Sequence, residues 1–273
     1  GIRDTLESRG LGDVYKRQEV NRPAYDNLIQ GYAGAMSITG TDKENPVKSG
    51  IPIADLGAGL YAVIGILSAI QSREKNDFGE HVDISMLDTQ VSLLTYMATM
   101  HFLSGENPEP IGNQHMNHVP FNSYKTSDGF IQIGVVAEDF WPSLIEALDL
   151  RQLDTEENKV RSGRLKNREN IDQAIQEVFI TNTTEHWLKT LQEHRVPCGP
   201  INSLSETFQD ADLLKRNMIV EVLQDSGASV KMPGNPVKIS NHDEEFRRSP
   251  KLGEHTSKIF KDWLDKDISI DQD

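Results

Sequence analysis

The sequence predicts an α/β chain, with helices interleaved among strands, in two blocks: a helical one at 21–105 and a mixed one at 119–240. Three observations predict this. Apolar residues recur at helical spacing from Tyr25 to Leu103. Short apolar runs flanked by Ser, Asp and Gly begin at Val119. Amphipathic helices follow those runs from Phe140 to His194.

The elements follow in order. Tyr25 to Ile38 predicts a helix, with Leu28, Ile29, Tyr32 and Met36 apolar and Gly31, Ala33, Gly34 and Ala35 small enough to let a neighbouring backbone approach. Thr39 to Pro52 is a loop rich in Gly, Pro, Asn and charge. Leu56 to Arg73 is the strongest helix, ending in the polar run from Ser72 to Lys75, and Gly79 marks the next turn. His81 to Met86 alternates polar and apolar and reads as a strand. Asp88 to Leu103 is a further helix, closed by Ser104 and Gly105.

In the mixed block, Val119 to Tyr124 and Phe130 to Val136 predict strands around a Ser127-Asp128-Gly129 turn. Helices are expected over Phe140 to Leu148, Ile171 to Phe179 and Glu185 to His194, the last capped by Thr184. Arg195 to Pro200 reads as a rigid connector. Ile219 to Leu223 and Val230 to Met232 pair as strands across Asp225-Ser226-Gly227, and Pro250 to Trp263 is a loop followed by a terminal helix. The acidic tail from Asp265 to Asp273 is expected to fray.

Residues 1–20 are polar, mixed in charge and without a period. They read as a linker or, preferentially, a non-native segment joined to an N-terminally truncated gene, and they carry no weight in the fold. The domains are then 21–112, a small α+β domain at 113–240, and a return segment with tail at 241–273.

Composition narrows the function. Forty-two acidic against 28 basic side chains give a formal net charge of −14, which argues against nucleic acid as a partner and fits a cytoplasmic protein. The single cysteine, Cys198, excludes an internal disulfide framework and a cysteine-based metal site. Ile51 to Ile70 carries one charge, Asp55, but Pro52, Gly57, Gly59 and Gly65 interrupt it. A membrane span needs about 20 consecutive apolar residues, so the expectation is a buried core helix and no membrane partner.

Asp55 is the most informative residue. It stands where the longest helix begins, and Asp is a favoured N-cap because its carboxylate accepts first-turn N–H groups. A structural cap is one reading. The other is chemical. Gly57 and Gly59 each cost about 1 kcal/mol relative to Ala in a helix, which makes sense where something must approach the backbone. A helix start favours a carboxylate and a developing oxyanion, and a poorly hydrated carboxylate is a better nucleophile. Those features suit acyl transfer through a covalent intermediate.

The eight histidines show no compact ligand spacing, and each reads first as a surface or core residue. Gly112-Asn113-Gln114-His115 is a polar loop, suited either to covering a site or merely to connecting elements. Gly57-Ala58-Gly59 is not a dinucleotide fingerprint, and Cys198, set between prolines, reads as structural.

Several ordered segments resemble the class III CoA-transferases, the family of formyl-CoA transferase and carnitine CoA-transferase. They are Arg22-Pro23-Ala24-Tyr25-Asp26, Gln30-Gly31, Ser37-Ile38-Thr39-Gly40, Ala54-Asp55-Leu56-Gly57-Ala58-Gly59 and the run from Gly79 to Asp88. Gly112-Asn113-Gln114-His115, Pro197 to Asn202, Gly234 to Lys238 and Leu252 to Thr256 follow in the same order. Each is weak alone, and the succession is specific.

The resemblance implies a partial class III CoA-transferase fold whose N-terminal nucleotide-binding part is missing. It implies Asp55 as catalytic nucleophile, Pro23, Ala24, Tyr25 and Asp26 as coenzyme A contacts, and Asn113, Gln114 and His115 as a substrate loop. The implied reaction moves CoA between an acyl-CoA thioester and a carboxylic acid through an aspartyl-CoA intermediate. Coenzyme A enters as substrate, without metal or redox cofactor, and the full-length protein is an interlocked homodimer. A lysine of formyl-CoA transferase is replaced here by Pro23, and Arg22 is the alternative charge contact. The glycine run of formyl-CoA transferase is absent from Gln114 to Val119, which points to the carnitine-type branch. The alternatives are an acyl-CoA racemase or isomerase of the same fold, or an inactive truncated CoA-binding remnant. The absence of a histidine around Ala24 to Asp26 disfavours the racemase, which needs two groups on opposite faces of one carbon.

Overall fold

The computed structural model describes residues 24–265. Pro23, like the 1–20 segment and the tail beyond Asp265, lies outside the described residues. The chain divides into two compact units, with the boundary between Pro200 and Ile201.

The first unit opens with α1 (Asp26–Tyr32), a 3-10 turn (Ala35–Ile38), α2 (Ile53–Asn76), α3 (Met86–Leu93) and α4 (Tyr96–Ser104). The helix expected over Tyr25 to Ile38 breaks at Gly34, whose φ of +84° only glycine adopts without strain. The helix expected over Asp88 to Leu103 is two helices, interrupted at Thr95 with φ of +50°. The α1, α2 and α3 helices pack on one another around buried Ile29 and Ala54. A Cβ on Gly57 would stand 2.9 Å from the Thr89 methyl and 3.1 Å from a Leu93 methyl, so this glycine lets α3 lie close against α2.

Two expectations fail here. His81 to Met86 is not a strand, and α3 begins at Met86 with Ser85 as its cap. The alternation has another cause: a Cβ on Gly65 would meet Val82 at 2.8 Å and Ile84 at 3.8 Å, so these two side chains lean on α2 rather than on a partner strand. Nor is α2 a buried core helix. Ala54 and Gly57 are its buried residues, while Leu60, Val63, Ile64 and Leu67 are all more than half exposed. The α1 and α3 helices cover one stripe of a helix that is apolar on nearly every side. By length and composition alone α2 would suffice to cross a membrane.

The rest of this unit is a three-stranded antiparallel sheet in the order β1 (Phe121–Lys125), β2 (Phe130–Gly134), β3 (Cys198–Pro200). Tyr124 pairs with Ile131 and Ile133 with Cys198. The connector expected at Arg195 to Pro200 thus supplies an edge strand, where prolines need not donate to a ladder. Tyr124, Ile131 and Ile133 point to one face, which α5 (Phe140–Leu148), α6 (Arg161–Lys166), α7 (Arg168–Phe179) and α8 (Thr184–Glu193) help to bury. On α7, Ile171, Ile175 and Phe179 recur every four residues and are fully buried. Burial of each such side chain is worth about 1.5–3 kcal/mol. Thr183, not Thr184, caps α8, its hydroxyl accepting from the His186 N–H.

The second unit holds α9 (Leu204–Thr207), α10 (Ala211–Lys215), a hairpin of β4 (Ile219–Leu223) with β5 (Ser229–Pro233), and α11 (Thr256–Leu264). Val220 and Val222 are its buried strand residues. Ser203 and Glu206 form a reciprocal capping box on α9.

Candidate functional site

The first turns of α1 and α2 are tied together by side chains from α1. Asp26 Oδ1 accepts from the Ala54 N–H at 2.9 Å, and its Oδ2 accepts from Gln30 Nε2 at 2.6 Å. Gln30 is buried, and its Oε1 accepts from the Ser49 N–H at 2.8 Å. Pro52 holds the N-cap position of α2 without a side-chain cap, so Asp26 supplies that cap from 28 residues upstream. Asp55 is therefore not the N-cap. It is the third residue of the helix, exposed, and its side chain makes no hydrogen bond or ion pair with the described residues.

Asp55 and Gly59 lie four residues apart and share one helix face. A Cβ on Gly59 would meet nothing within 4 Å, so the surface beside the Asp55 carboxylate is open. Gly57, the other glycine of the pair, faces α3 instead and has a packing explanation. Ala24 is half-buried beside Ile29 and Ala54, and Tyr25 is exposed at the N-cap position of α1. The structure thus brings Ala24, Tyr25, Asp26 and Asp55 to adjoining helix starts.

The loop that follows α4 has separate anchors. The Gly112 N–H donates to the Gly40 carbonyl at 2.7 Å, which ties the loop to the helical group. Asn113 Nδ2 donates to Ser123 Oγ at 2.7 Å, on β1, and the residue lines an open trough of about 390 Å³ with Phe121, Gly134 and Gly199. Gln114 Nε2 donates to Asp172 Oδ2 at 3.4 Å. Arg168 Nη2 donates to the His115 carbonyl at 2.7 Å. His115 Nδ1 accepts from the Asn117 N–H, and the ring lies against His118 and Phe121. Burial, then the proximity of His115, pushes the His118 imidazole below the ordinary histidine range. Among the described residues no hydrogen bond joins this loop to Asp55.

Gln30, Arg168 and Asp172 are the residues of this region to which the sequence assigned no role. Gln30 stands inside a segment of family resemblance, while Arg168 and Asp172 are two polar residues on an amphipathic helix, with no signal to separate them from a solvated face. Cys198 lies at the edge of the core, and burial pushes its thiol up, away from reactivity. Among the described residues, no three His, Cys, Asp or Glu side chains gather as a metal site.

Comparison with known proteins gives this geometry a context. The sequence profile described as CoA-transferase family III matches residues 10–256. Succinyl-CoA:glutarate CoA-transferase from Homo sapiens is 30% identical over 245 residues, covering 89% of this chain and 56% of that protein. Succinyl-CoA:mesaconate CoA-transferase from Haloarcula marismortui is 32% identical over 257 residues, covering 92% of this chain and 64% of that protein. The crystal structure of a CAIB/BAIF family protein from Brucella suis superimposes with a TM-score of 0.76 at 30% identity, covering 90% of this chain and 64% of that one. The chain spans less than two thirds of the length of each. By profile and by fold, this chain belongs to CoA-transferase family III.

Proposed function

We propose that the protein carrying this chain moves CoA between an acyl-CoA thioester and a dicarboxylic acid through a covalent intermediate on Asp55. The observation that carries the reading is the exposed Asp55 carboxylate on the first turn of α2, beside the open face at Gly59, with its capping duty taken over by Asp26. A carboxylate oxygen attacks the thioester carbon, the C–S bond breaks, and CoA leaves as thiolate. The thiolate then attacks the aspartyl carbonyl of the mixed anhydride, releasing the donor acid and leaving an aspartyl-CoA thioester. The acceptor carboxylate repeats both steps and restores Asp55. The first-turn N–H groups and dipole of α2 favour the negative charge at each stage. No proton or electron is gained or lost overall.

The dicarboxylic acceptor class is taken from the glutarate and mesaconate named for the relatives, in place of the carnitine-type branch expected from the missing glycine run. Ala24, Tyr25 and Asp26 are proposed as coenzyme A contacts and Asn113 to His115 as the substrate loop. The exposed apolar side chains of α2 support burial of this helix in an interlocked homodimer of the full-length protein.

The test is to incubate the full-length protein that carries this sequence with succinyl-CoA, add hydroxylamine, and map the modified residue by mass spectrometry. Hydroxamate at Asp55 is expected. Turnover with Asp55 unmodified overturns the mechanism.

A further inference from the structure

We propose that Arg168 on α7 is a positioning residue that sets the Asn113–His115 loop against the acceptor acid, with Asp172 holding the same loop from the next turn. The inference deepens the transferase reading and rests on it. Four consecutive loop residues are each anchored, the last two to α7. Gly112 is held by Gly40 and Asn113 by Ser123. Arg168 Nη2 donates to the His115 carbonyl at 2.7 Å, while its Nη1 reaches Gln114 Oε1 at 3.5 Å. Asp172 accepts from Gln114 Nε2 at 3.4 Å and from the Tyr124 hydroxyl at 2.5 Å.

Their spacing of four residues puts the cation and the anion on one helix face, so a single guanidinium and a single carboxylate grip the two ends of one loop amide. The contacts to Gln114 are long and weak, whereas the bond to the His115 carbonyl is short and charge-assisted. Arg168 therefore fixes the loop chiefly through its backbone. Asp172 is in turn fixed by Tyr124, which is 3% exposed and packed into the core beneath the sheet. The loop inherits its position from the buried core of this unit, while the proposed nucleophile sits on α2. A residue acting this way changes how well the acid is held more than how fast the carbonyl carbon reacts.

Steady-state kinetics on the full-length protein, with succinyl-CoA as donor and glutarate as acceptor, test the proposal. Arg168→Met is expected to raise KM for the acid about tenfold while kcat stays within about threefold. Arg168→Lys keeps one donor for the His115 carbonyl and is expected to recover part of that loss. Parent-like KM in Arg168→Met, or a fall in kcat with KM unchanged, overturns the inference. If Arg168→Met does not fold, Arg168→Lys decides: raised KM with kcat kept supports the proposal, and parent-like KM overturns it. Asp55→Ala run alongside separates the two levels: an active Asp55→Ala variant overturns the Asp55 mechanism, and no turnover by the parent protein overturns the transferase reading.

Discussion

The Asp26 carboxylate accepts a hydrogen bond from the Ala54 N–H at 2.9 Å, and this contact frees Asp55, one residue on, from structural duty. The same carboxylate takes the Gln30 amide at 2.6 Å, and Gln30 takes the Ser49 N–H, so the donors and acceptors run in one direction. Asp26→Ala is expected to cost about 1–2 kcal/mol, the upper range for a lost cap, because a buried amide also loses its acceptor. Asp26→Asn keeps an acceptor on Ala54 but turns an amide donor toward the Gln30 donor, so its loss falls between. Chemical denaturation of the 273-residue chain ranks the three proteins. Equal midpoints would show that the cap contributes nothing.

Asp55 itself is expected to behave oppositely. Its contribution to the fold is the dipole interaction of a first-turn acid, about 0.3–1 kcal/mol. Asp55→Ala and Asp55→Asn should therefore fold with nearly parent stability, and neither should turn over in the full-length protein, since an amide cannot form the anhydride. Denaturation midpoints and transferase rates measured on the same preparations check this. Parent-like rates in either variant contradict it.

The glycines of α2 separate by environment. Gly59→Ala adds a methyl to open space and gains helix propensity, about 0.5–1 kcal/mol of stability. Gly57→Ala drives a methyl to within 2.9 Å of Thr89 and 3.1 Å of Leu93, and overpacking of about 1–3 kcal/mol outweighs the propensity gain. Gly59→Leu is expected to fold and to lose most turnover, because its side chain fills the face shared with Asp55. Thermal melts in which both Ala variants move the same way would show that the two sites do not differ.

The parts of the fold that were legible are those whose pattern answers to their own neighbourhood. Ile171, Ile175 and Phe179 face the core that Trp141, Leu144 and Leu191 share with them, so their spacing gave α7 and its buried side together. The alternation of Val82 and Ile84 misled because two apolar side chains resting on a helix at Gly65 leave the same trace as a strand. The residues of α2 are apolar on nearly every side before its polar last turns, so periodicity located the helix but not its exposed face. Asp55 was legible as a helix-start acid, but its freedom from capping depends on the bond from Ala54 to Asp26, 28 residues apart in the chain, and no local pattern carries that.

In the second unit, Glu254 accepts from Arg248 and from the Lys251 N–H, and Arg248 also pairs with Asp225. The bond from Arg248, then that from Lys251, holds the Glu254 carboxyl down at about 2. The folded state binds this proton more weakly than the unfolded chain does. The stabilisation is therefore complete above the ordinary carboxylate value and disappears as pH falls toward about 2. Melts of the parent and Glu254→Gln from neutral pH downward should show a gap that closes in acid. A gap independent of pH would show that the charge of Glu254 is not what stabilises the turn.

Arg164 is 2% exposed on α6, a segment too polar for the sequence to mark as structural. Its guanidinium donates to the carbonyls of Val119 at 2.8 Å, Asn158 at 2.9 Å and Lys159 at 3.3 Å, and to Glu138 Oε2 at 2.6 Å, with its Cζ 5.2 Å from the centre of the Trp141 ring. The cation joins the approach to β1, the loop before α6 and the start of α5. Arg164→Met preserves the stem but leaves buried carbonyls without donors, at about 1–3 kcal/mol each, for a total loss of about 3–5 kcal/mol. Arg164→Lys should lose nearly as much, since one ammonium cannot reproduce a planar fork. Glu138→Gln should cost less than about 1 kcal/mol, because Glu138 is 57% exposed and water screens the pair. Urea denaturation of the three variants decides the order. A larger loss in Glu138→Gln than in Arg164→Met would mean that the ion pair, and not the carbonyl contacts, holds these segments together.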